Sequence, residues 1–201
     1  MVIRLYRTHN ILPSIAAAQA ILESGWGTSR LARPPYNNHF GVKAPASWTG
    51  RRVNMATLED NGSGSYYGIN ADFRAYDNPE DSFRDYANNF TASPWLTNHY
   101  RGVIGGTNFR TVANKLQGTY ATDTRYASKL INLITTHGLD RWDVEARENK
   151  TNDAPIDDKV EPVQERGTRK ERAEISDLDY SSSTFKSPAG TNYIINEKLN
   201  D

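Results

Sequence analysis

The sequence predicts an α+β fold in which several helices accompany a single β-hairpin. Four stretches between residues 13 and 138 place apolar residues three and four positions apart, which is the spacing of one helix face. One stretch, 51–73, instead alternates apolar and polar residues on either side of a glycine-rich turn, as the two strands of a hairpin do. With 201 residues, the chain can form one domain of ordinary size and an additional segment.

The first long helix is predicted to begin at Pro13 and to end before Gly25, after a short helical lead-in over residues 2–10. Proline suits a first helical position because its missing N–H is not needed there, and the three alanines that follow favour a helix. Ile15, Ala18 and Leu22 have the spacing of a stripe that faces the core.

Glu23 lies off that predicted stripe, in the last turn, where the negative end of the helix dipole disfavours an anion. Its neighbours one and two turns earlier, Ala20, Gln19 and Ala16, are mostly small and are expected to leave room for a ligand. A carboxyl group that is partly desolvated beside the indole of Trp26 should have a raised pKa, which suits a general acid near neutral pH. The alternative is an ordinary solvated glutamate near a helix end.

The predicted hairpin has two neighbouring acids close to its turn. Glu59 ends the first predicted strand in phase with Thr57, and Asp60 begins the turn at 60–64. From these residues alone, both acids would be solvated side chains of a turn.

The remaining helices are predicted from their caps and apolar faces. Asn78 and Asp123 are the expected N-caps of the helices that follow them, and Gly138 is the expected C-cap of the last helix. Trp95 could stack on a sugar or fill the core, and it is assigned to the core or to its rim. The residues expected to face the core are Phe83, Tyr86, Ala87, Phe90, Phe109, Val112, Ala113, Leu116, Tyr126, Leu130, Leu133 and Ile134.

Composition divides the chain in two. Residues 1–143 hold 15 Lys and Arg against 11 Asp and Glu, whereas residues 144–201 hold 9 against 13 and are poor in aromatic residues up to position 180. We therefore predict a folded domain over 1–143 and a charged linker or interaction tail over 144–201. The absence of cysteine excludes disulfides and thiolate metal sites, and no apolar run is long enough to span a bilayer.

Several motifs in order resemble those of the glycoside hydrolase family 73 endo-β-N-acetylglucosaminidases, which are bacterial and phage cell-wall hydrolases. The motifs are ILPSIAAAQAILESGWG at 11–27, NNHFGVK at 37–43, FRAY at 73–76 and YATDTRYASKL at 120–130. The resemblance covers roughly residues 8–143. It implies a lysozyme-like α+β fold in which a cleft separates a helical lobe from a small hairpin lobe.

The resemblance also implies the chemistry: cleavage of the β-1,4 bond after N-acetylglucosamine in peptidoglycan, without a metal or another cofactor. Glu23 would be the general acid, Glu59 (or its neighbour Asp60) the second carboxylate, and Tyr120 the group that orients water or the N-acetyl group. The residues expected to contact the sugar chain are Asn38, Phe40, Trp26 and Tyr126. His39 is given no catalytic part.

Two alternatives stay open. A muramidase or lytic transglycosylase would use the same fold, and a structural, wall-docking part of a phage tail would need no catalysis. The first residues, 1–7, do not have the pattern of a secretion signal, which favours a phage lysin or a virion-associated enzyme acting at the bacterial wall. Its expected partners are glycan strands and, through 144–201, other virion proteins, with no role for nucleic acid or for membrane insertion.

Overall fold

The computed structural model describes residues 1–60, 66–151, 185–186 and 192–193. It confirms the predicted α+β class, because helices are combined with one long antiparallel hairpin. The elements in order are α1 (Val2–His9), α2 (Pro13–Ser24), β1 (Arg52–Asp60), β2 (Tyr66–Arg74), α3 (Pro79–Asn89), α4 (Pro94–His99), α5 (Phe109–Leu116), α6 (Tyr126–His137), α7 (Arg141–Thr151), β3 (Phe185–Lys186) and β4 (Asn192–Tyr193). No helix in the described part is long and apolar enough to cross a membrane.

Helix α2 begins and ends at the predicted residues but is not amphipathic. Every residue from Pro13 to Ser24 except Ile21 is buried, and the helix packs against α1, α5, α6 and α7. The predicted stripe was therefore too narrow. Small alanine side chains let neighbouring helices approach on all sides, so the whole circumference belongs to the core.

The hairpin has the predicted alternation. Strands β1 and β2 pair from Arg52 opposite Arg74 to Asp60 opposite Tyr66. Thr57 and Phe73, which lie in the same phase of the alternation, are buried. Phe73 belongs to the hydrophobic core, and Val53 and Met55 on the same face pack against that core. The short strands β3 and β4 also pair antiparallel, and β4 lies within the stretch 191–195, where the sequence suggests a strand.

The cap predictions are right at two of three positions. Asn78 accepts a hydrogen bond from the backbone N–H of Asp81 at 2.9 Å, and Gly138 closes α6 in the left-handed conformation. Helix α6, however, begins at Tyr126 rather than directly after Asp123. Asp123 instead accepts from the N–H of Arg125 at 2.8 Å and forms a turn ahead of the helix.

Two helices were not predicted. The prolyl turn at 93–95 begins helix α4, with Ser93 as its N-cap, and Trp95 is 63% exposed and stacks on His99. Of the two positions predicted for Trp95, the core and its rim, the core is therefore wrong. Helix α7 crosses from residue 143 to residue 144, and Ala146 in its middle is fully buried. Packed structure thus continues past the proposed boundary, and the division of the chain at that point stays a prediction.

Helix α7 is joined to the start of α2 by one buried carboxylate. Asp143 accepts hydrogen bonds from the backbone N–H of Ser14 at 2.8 Å and from its hydroxyl at 2.6 Å. The preceding residue, Leu12, offers no side-chain cap to α2. Asp143 therefore caps the N-terminus of α2 from a helix 129 residues further along the chain.

Candidate active site

The last turn of α2 holds the candidate acid in a nearly closed environment. Glu23 is 6% exposed, and its Oε1 accepts a hydrogen bond of 2.8 Å from the phenol of Tyr126. Among the described residues, no side chain or backbone group donates to its other oxygen, Oε2. One oxygen is thus fixed by the protein, and the other is left to carry a proton.

Burial raises the pKa of Glu23 well above the ordinary glutamate value. The hydrogen bond from Tyr126 and the positive charge of Lys129 lower this pKa, but their effect is smaller than that of burial. Lys129 is itself held by Asp123, whose Oδ2 lies 3.0 Å from the lysine Nζ. The expected direction of the shift is therefore found, and its largest cause is burial of the carboxyl group.

A chain of buried polar side chains leads to Glu23. The phenol of Tyr86 donates to Oε1 of Gln19 at 2.5 Å, and Nε2 of Gln19 donates to the phenol oxygen of Tyr126 at 2.9 Å. Tyr126 then donates to Glu23. Gln19 is fully buried, so it does not provide the open space predicted for it one turn before Glu23.

Tyr120 lies between two aromatic rings of the site. It is 8% exposed, and its ring centroid is 6.0 Å from that of Tyr126 and 6.1 Å from that of Phe90, nearly parallel to both. Its place before α6 agrees with the sequence, and its catalytic role stays a prediction. Tyr126 was predicted both on the buried stripe of its helix and as a sugar contact. It is fully buried and its hydroxyl donates to Glu23, so the core position is confirmed and the sugar contact stays a prediction.

Asn38 and Phe40 differ from the expectation that they contact the sugar chain. Asn38 is 1% exposed, and its amide donates to the backbone oxygens of Val42 and Arg74, while its Oδ1 accepts from the N–H of Val42. Phe40 is 2% exposed and stacks on Tyr86 at 4.0 Å. Both residues therefore support the wall of the site from behind, because their contacts lie within the core.

Trp26 stands at the exposed side of the same turn. It is 36% exposed, and its edge-on partner is the ring of His137 at 5.0 Å. Gly25, Trp26 and Gly27 all have positive φ, with 62° at the tryptophan. A left-handed backbone is costly for a bulky residue, so the turn holds the indole at the surface at some expense of stability.

For Glu59 and Asp60, the two candidates for the second carboxylate, the pairing of the hairpin gives the backbone positions. Glu59 pairs with Tyr67 near the end of the hairpin, in phase with the buried Thr57, and Asp60 pairs with Tyr66. The turn at 61–65 lies outside the described residues. The choice between Glu59 and Asp60 therefore stays a prediction.

A cavity opens near Gly27, and the described residues include no group that could hold a metal ion. A cavity of about 460 Å³ opens beyond Gly27, between the loop at 32–39 and residues 77–79, with Arg33 and Arg51 in its wall. Glu23 is not among the residues that line it, so this cavity is separate from the candidate acid. Within the described residues, no cluster of three His, Asp or Glu side chains could hold a metal ion.

Comparison with known proteins gives consistent matches over this part of the chain. A family model named Glucosaminidase, described as mannosyl-glycoprotein endo-beta-N-acetylglucosaminidase, matches residues 1–139. The exo-glucosaminidase LytG of Bacillus subtilis is 40% identical over 141 residues, which are 69% of this chain and 49% of that protein. A probable N-acetylmuramidase of Lactococcus lactis subsp. cremoris is 33% identical over 149 residues, 72% of this chain and 33% of that protein.

Among solved structures, the catalytic domain of the autolysin Auto from Listeria monocytogenes matches with a TM-score of 0.64 and 38% identity, covering 70% of this chain and 80% of that domain. This likeness confirms the predicted lysozyme-like arrangement of helices and hairpin. This chain spans about half the length of the Bacillus protein and a third of the Lactococcus protein.

Proposed function

We propose, from the premise that this chain belongs to the glucosaminidase family (glycoside hydrolase family 73), that it hydrolyses the β-1,4 bond after N-acetylglucosamine in peptidoglycan. The observation that carries the proposal is the buried carboxyl group of Glu23, with one oxygen held by Tyr126 and a pKa raised by burial. A carboxylic acid that keeps its proton near neutral pH is what cleavage of a glycosidic bond needs.

In the proposed reaction, protonated Glu23 gives its proton to the glycosidic oxygen as the C1–O bond breaks. The bonding electron pair leaves with that oxygen, and positive charge develops on the sugar ring. Water then adds to C1 and loses a proton to a base. The carboxylate left at Glu23 is stabilised by the Tyr126 hydroxyl and by the charge of Lys129, which oppose the effect of burial on its pKa.

The second carboxylate in the proposal is Glu59, with Asp60 as the alternative, and it would activate the water or stabilise the charged ring. Tyr120 would orient the water or the N-acetyl group, and the exposed indole of Trp26 would offer a stacking surface for a sugar. Asn38 and Phe40 have supporting roles in this proposal, since neither reaches the surface.

The experiment is digestion of purified peptidoglycan, followed by mass spectrometry of the reduced products. Reducing ends of N-acetylglucosamine are expected. Glu23→Gln should abolish release while leaving the fold intact, and Glu145→Gln, at an exposed glutamate of α7, is the matched control. Full activity of the Glu23→Gln protein would refute the assignment.

A muramidase is the second candidate because the Lactococcus relative is named a probable N-acetylmuramidase. It would produce reducing ends of N-acetylmuramic acid in the same digestion. A lytic transglycosylase would instead leave anhydro ends without adding water. The same mass spectra therefore separate all three reactions.

For the biological setting, we propose a phage lysin or a wall-degrading component of a virion that acts at the bacterial cell wall. The charge difference between 1–143 and 144–201 supports two functions in one chain, with the second segment as the attachment to other virion proteins. A chain lacking residues 152–201 should keep its hydrolytic activity but should no longer be retained by particles. Equal retention with and without that segment would refute the attachment.

A further inference from the structure

We infer that Gln19 is a positioning residue for the acid: clamped between Tyr86 and Tyr126, its amide fixes the direction in which the Tyr126 proton points, and thereby holds Glu23 in its reactive geometry. This inference rests on the proposed role of Glu23. Gln19 itself touches no substrate, because it is fully buried.

The direction of these hydrogen bonds, from Tyr86 through Gln19 and Tyr126 to Glu23, follows from counting donors and acceptors. In the observed arrangement, the Tyr86 proton goes to Oε1 of Gln19, an amide proton goes to Tyr126, and the Tyr126 proton goes to Glu23. If the amide were flipped, its oxygen would take the Tyr126 proton, and both the proton of Tyr86 and Oε1 of Glu23 would lose these partners. Buried polar groups are costly to leave unpaired, so the observed direction is favoured.

The geometry supports this orientation. The contact between Tyr86 and Gln19 is 2.5 Å, a length typical of O–H···O rather than of N–H···O bonds. Burial raises the pKa of Tyr86 and of Tyr126, so both phenols keep their protons and remain donors. All three hydrogen bonds in this series are between buried side chains and are therefore shielded from water.

The effect on Glu23 is electrostatic as well as geometric. A phenol that accepts a hydrogen bond becomes a better donor, so Gln19 strengthens the bond from Tyr126 to the Glu23 carboxylate. Among the described side chains, the charged and titratable groups that act on Glu23 are Lys129 and Tyr126 from α6 and Tyr86 from α3. Removing the Gln19 amide leaves the charge of Lys129 in place and weakens only the hydrogen bond that the Tyr126 phenol donates to Glu23.

The test compares Gln19→Met, Gln19→Glu and Tyr86→Phe with wild type, using soluble glycan strands and the whole chain. Gln19→Met keeps the shape but removes both hydrogen bonds, so kcat should fall about 10- to 100-fold with KM unchanged. The alkaline limb of the kcat profile should move up by about 0.3 to 1 pH unit, because a weaker donor stabilises the Glu23 carboxylate less. Tyr86→Phe should cause a smaller loss of the same kind.

Gln19→Glu is the conservative rescue. In its protonated form, the introduced carboxylic acid offers a carbonyl oxygen to Tyr86 and a hydroxyl proton to Tyr126, as the amide does, so activity should return on the acid side of the profile. Tyr6→Phe removes a buried phenol of α1 and is the matched control, with kcat near wild type.

A second readout does not depend on activity: the titration of the Glu23 carboxyl carbon by ¹³C NMR, which should move to higher pH in Gln19→Met. Wild-type rates in Gln19→Met and Tyr86→Phe would overturn the inference. So would a loss of kcat with an unchanged Glu23 titration, or a Gln19→Glu protein no better than Gln19→Met at any pH. If wild type released no products, the proposed hydrolysis would fail, and the titration alone would decide the role of Gln19.

Discussion

Replacing Asp143 by alanine should loosen the helix that carries the candidate acid. The carboxylate accepts two hydrogen bonds from Ser14, at 2.8 and 2.6 Å, and both residues are buried. In Asp143→Ala, the N–H and the hydroxyl of Ser14 lose these acceptors at the start of α2. The change therefore removes a helix cap and leaves two buried donors unpaired.

The magnitude follows from the groups involved. Loss of a helix cap costs about 0.5–2 kcal/mol, and a buried donor without a partner costs about 1–3 kcal/mol. These costs overlap because they describe the same hydrogen bonds, so we expect a loss of about 2–4 kcal/mol in the free energy of unfolding. In a domain of roughly 150 residues, this lowers Tm by about 5–15 °C.

The assay is thermal and urea unfolding, followed by circular dichroism. Asp143→Asn can still accept from the N–H of Ser14 and should lose about half as much stability or less. Glu145→Ala, at an exposed acid of the same helix, is the control and should change the free energy of unfolding by less than about 0.5 kcal/mol. A Tm for Asp143→Ala within about 2 °C of wild type would refute the argument that this carboxylate caps α2.

Three further predictions concern the site. The pKa of Glu23 is raised in the folded state, so wild type loses stability as pH rises above the ordinary glutamate value of 4.5. Over that range, Glu23→Gln should become progressively more stable than wild type. A constant difference in the free energy of unfolding from about pH 4 to 8, measured by urea titration, would contradict this. Lys129→Met removes a charge that lowers the pKa of Glu23, so the alkaline limb of the kcat profile should move to higher pH, whereas Lys115→Met, in α5, should leave it in place. Asn38→Ala should lower the free energy of unfolding by about 2–4 kcal/mol, since the backbone groups of Val42 and Arg74 lose a buried partner; an unchanged urea midpoint would show that water replaces the amide.

Local backbone rules made much of the fold predictable. Pro13 and Gly25 bracket α2 because each acts on its own part of the chain, and the alternation over 51–73 gives the hairpin for the same reason. Helix α7 was missed because its residues are mostly charged, and only the tertiary contacts of Asp143 and Ala146 explain why it packs.

The site was predictable in its motifs but not in the roles of individual residues. The sequence proposes Glu23 as the acid from its place at a helix end, and that role stays a prediction, whereas the contacts of Gln19 depend on Tyr126, which lies 107 residues away in the sequence. The available signal was a lone amide among alanines, one turn before the acid. Asn38 and Phe40 belong to a motif near the site, but a motif does not tell which of its residues face outward and which support them from the core.

Helix α2 is buried along its whole length except at Ile21, and this burial should control how its backbone amides exchange with solvent. Backbone amides along this helix can exchange with solvent only when the surrounding helices separate, so their protection should approach that of global unfolding. If Glu23 is the proton donor, as proposed, it is carried by a slowly exchanging segment, while neighbouring loops and the hairpin are free to differ. Divergence in substrate preference among relatives would then be expected to accumulate in those peripheral segments, and the central rod should change least.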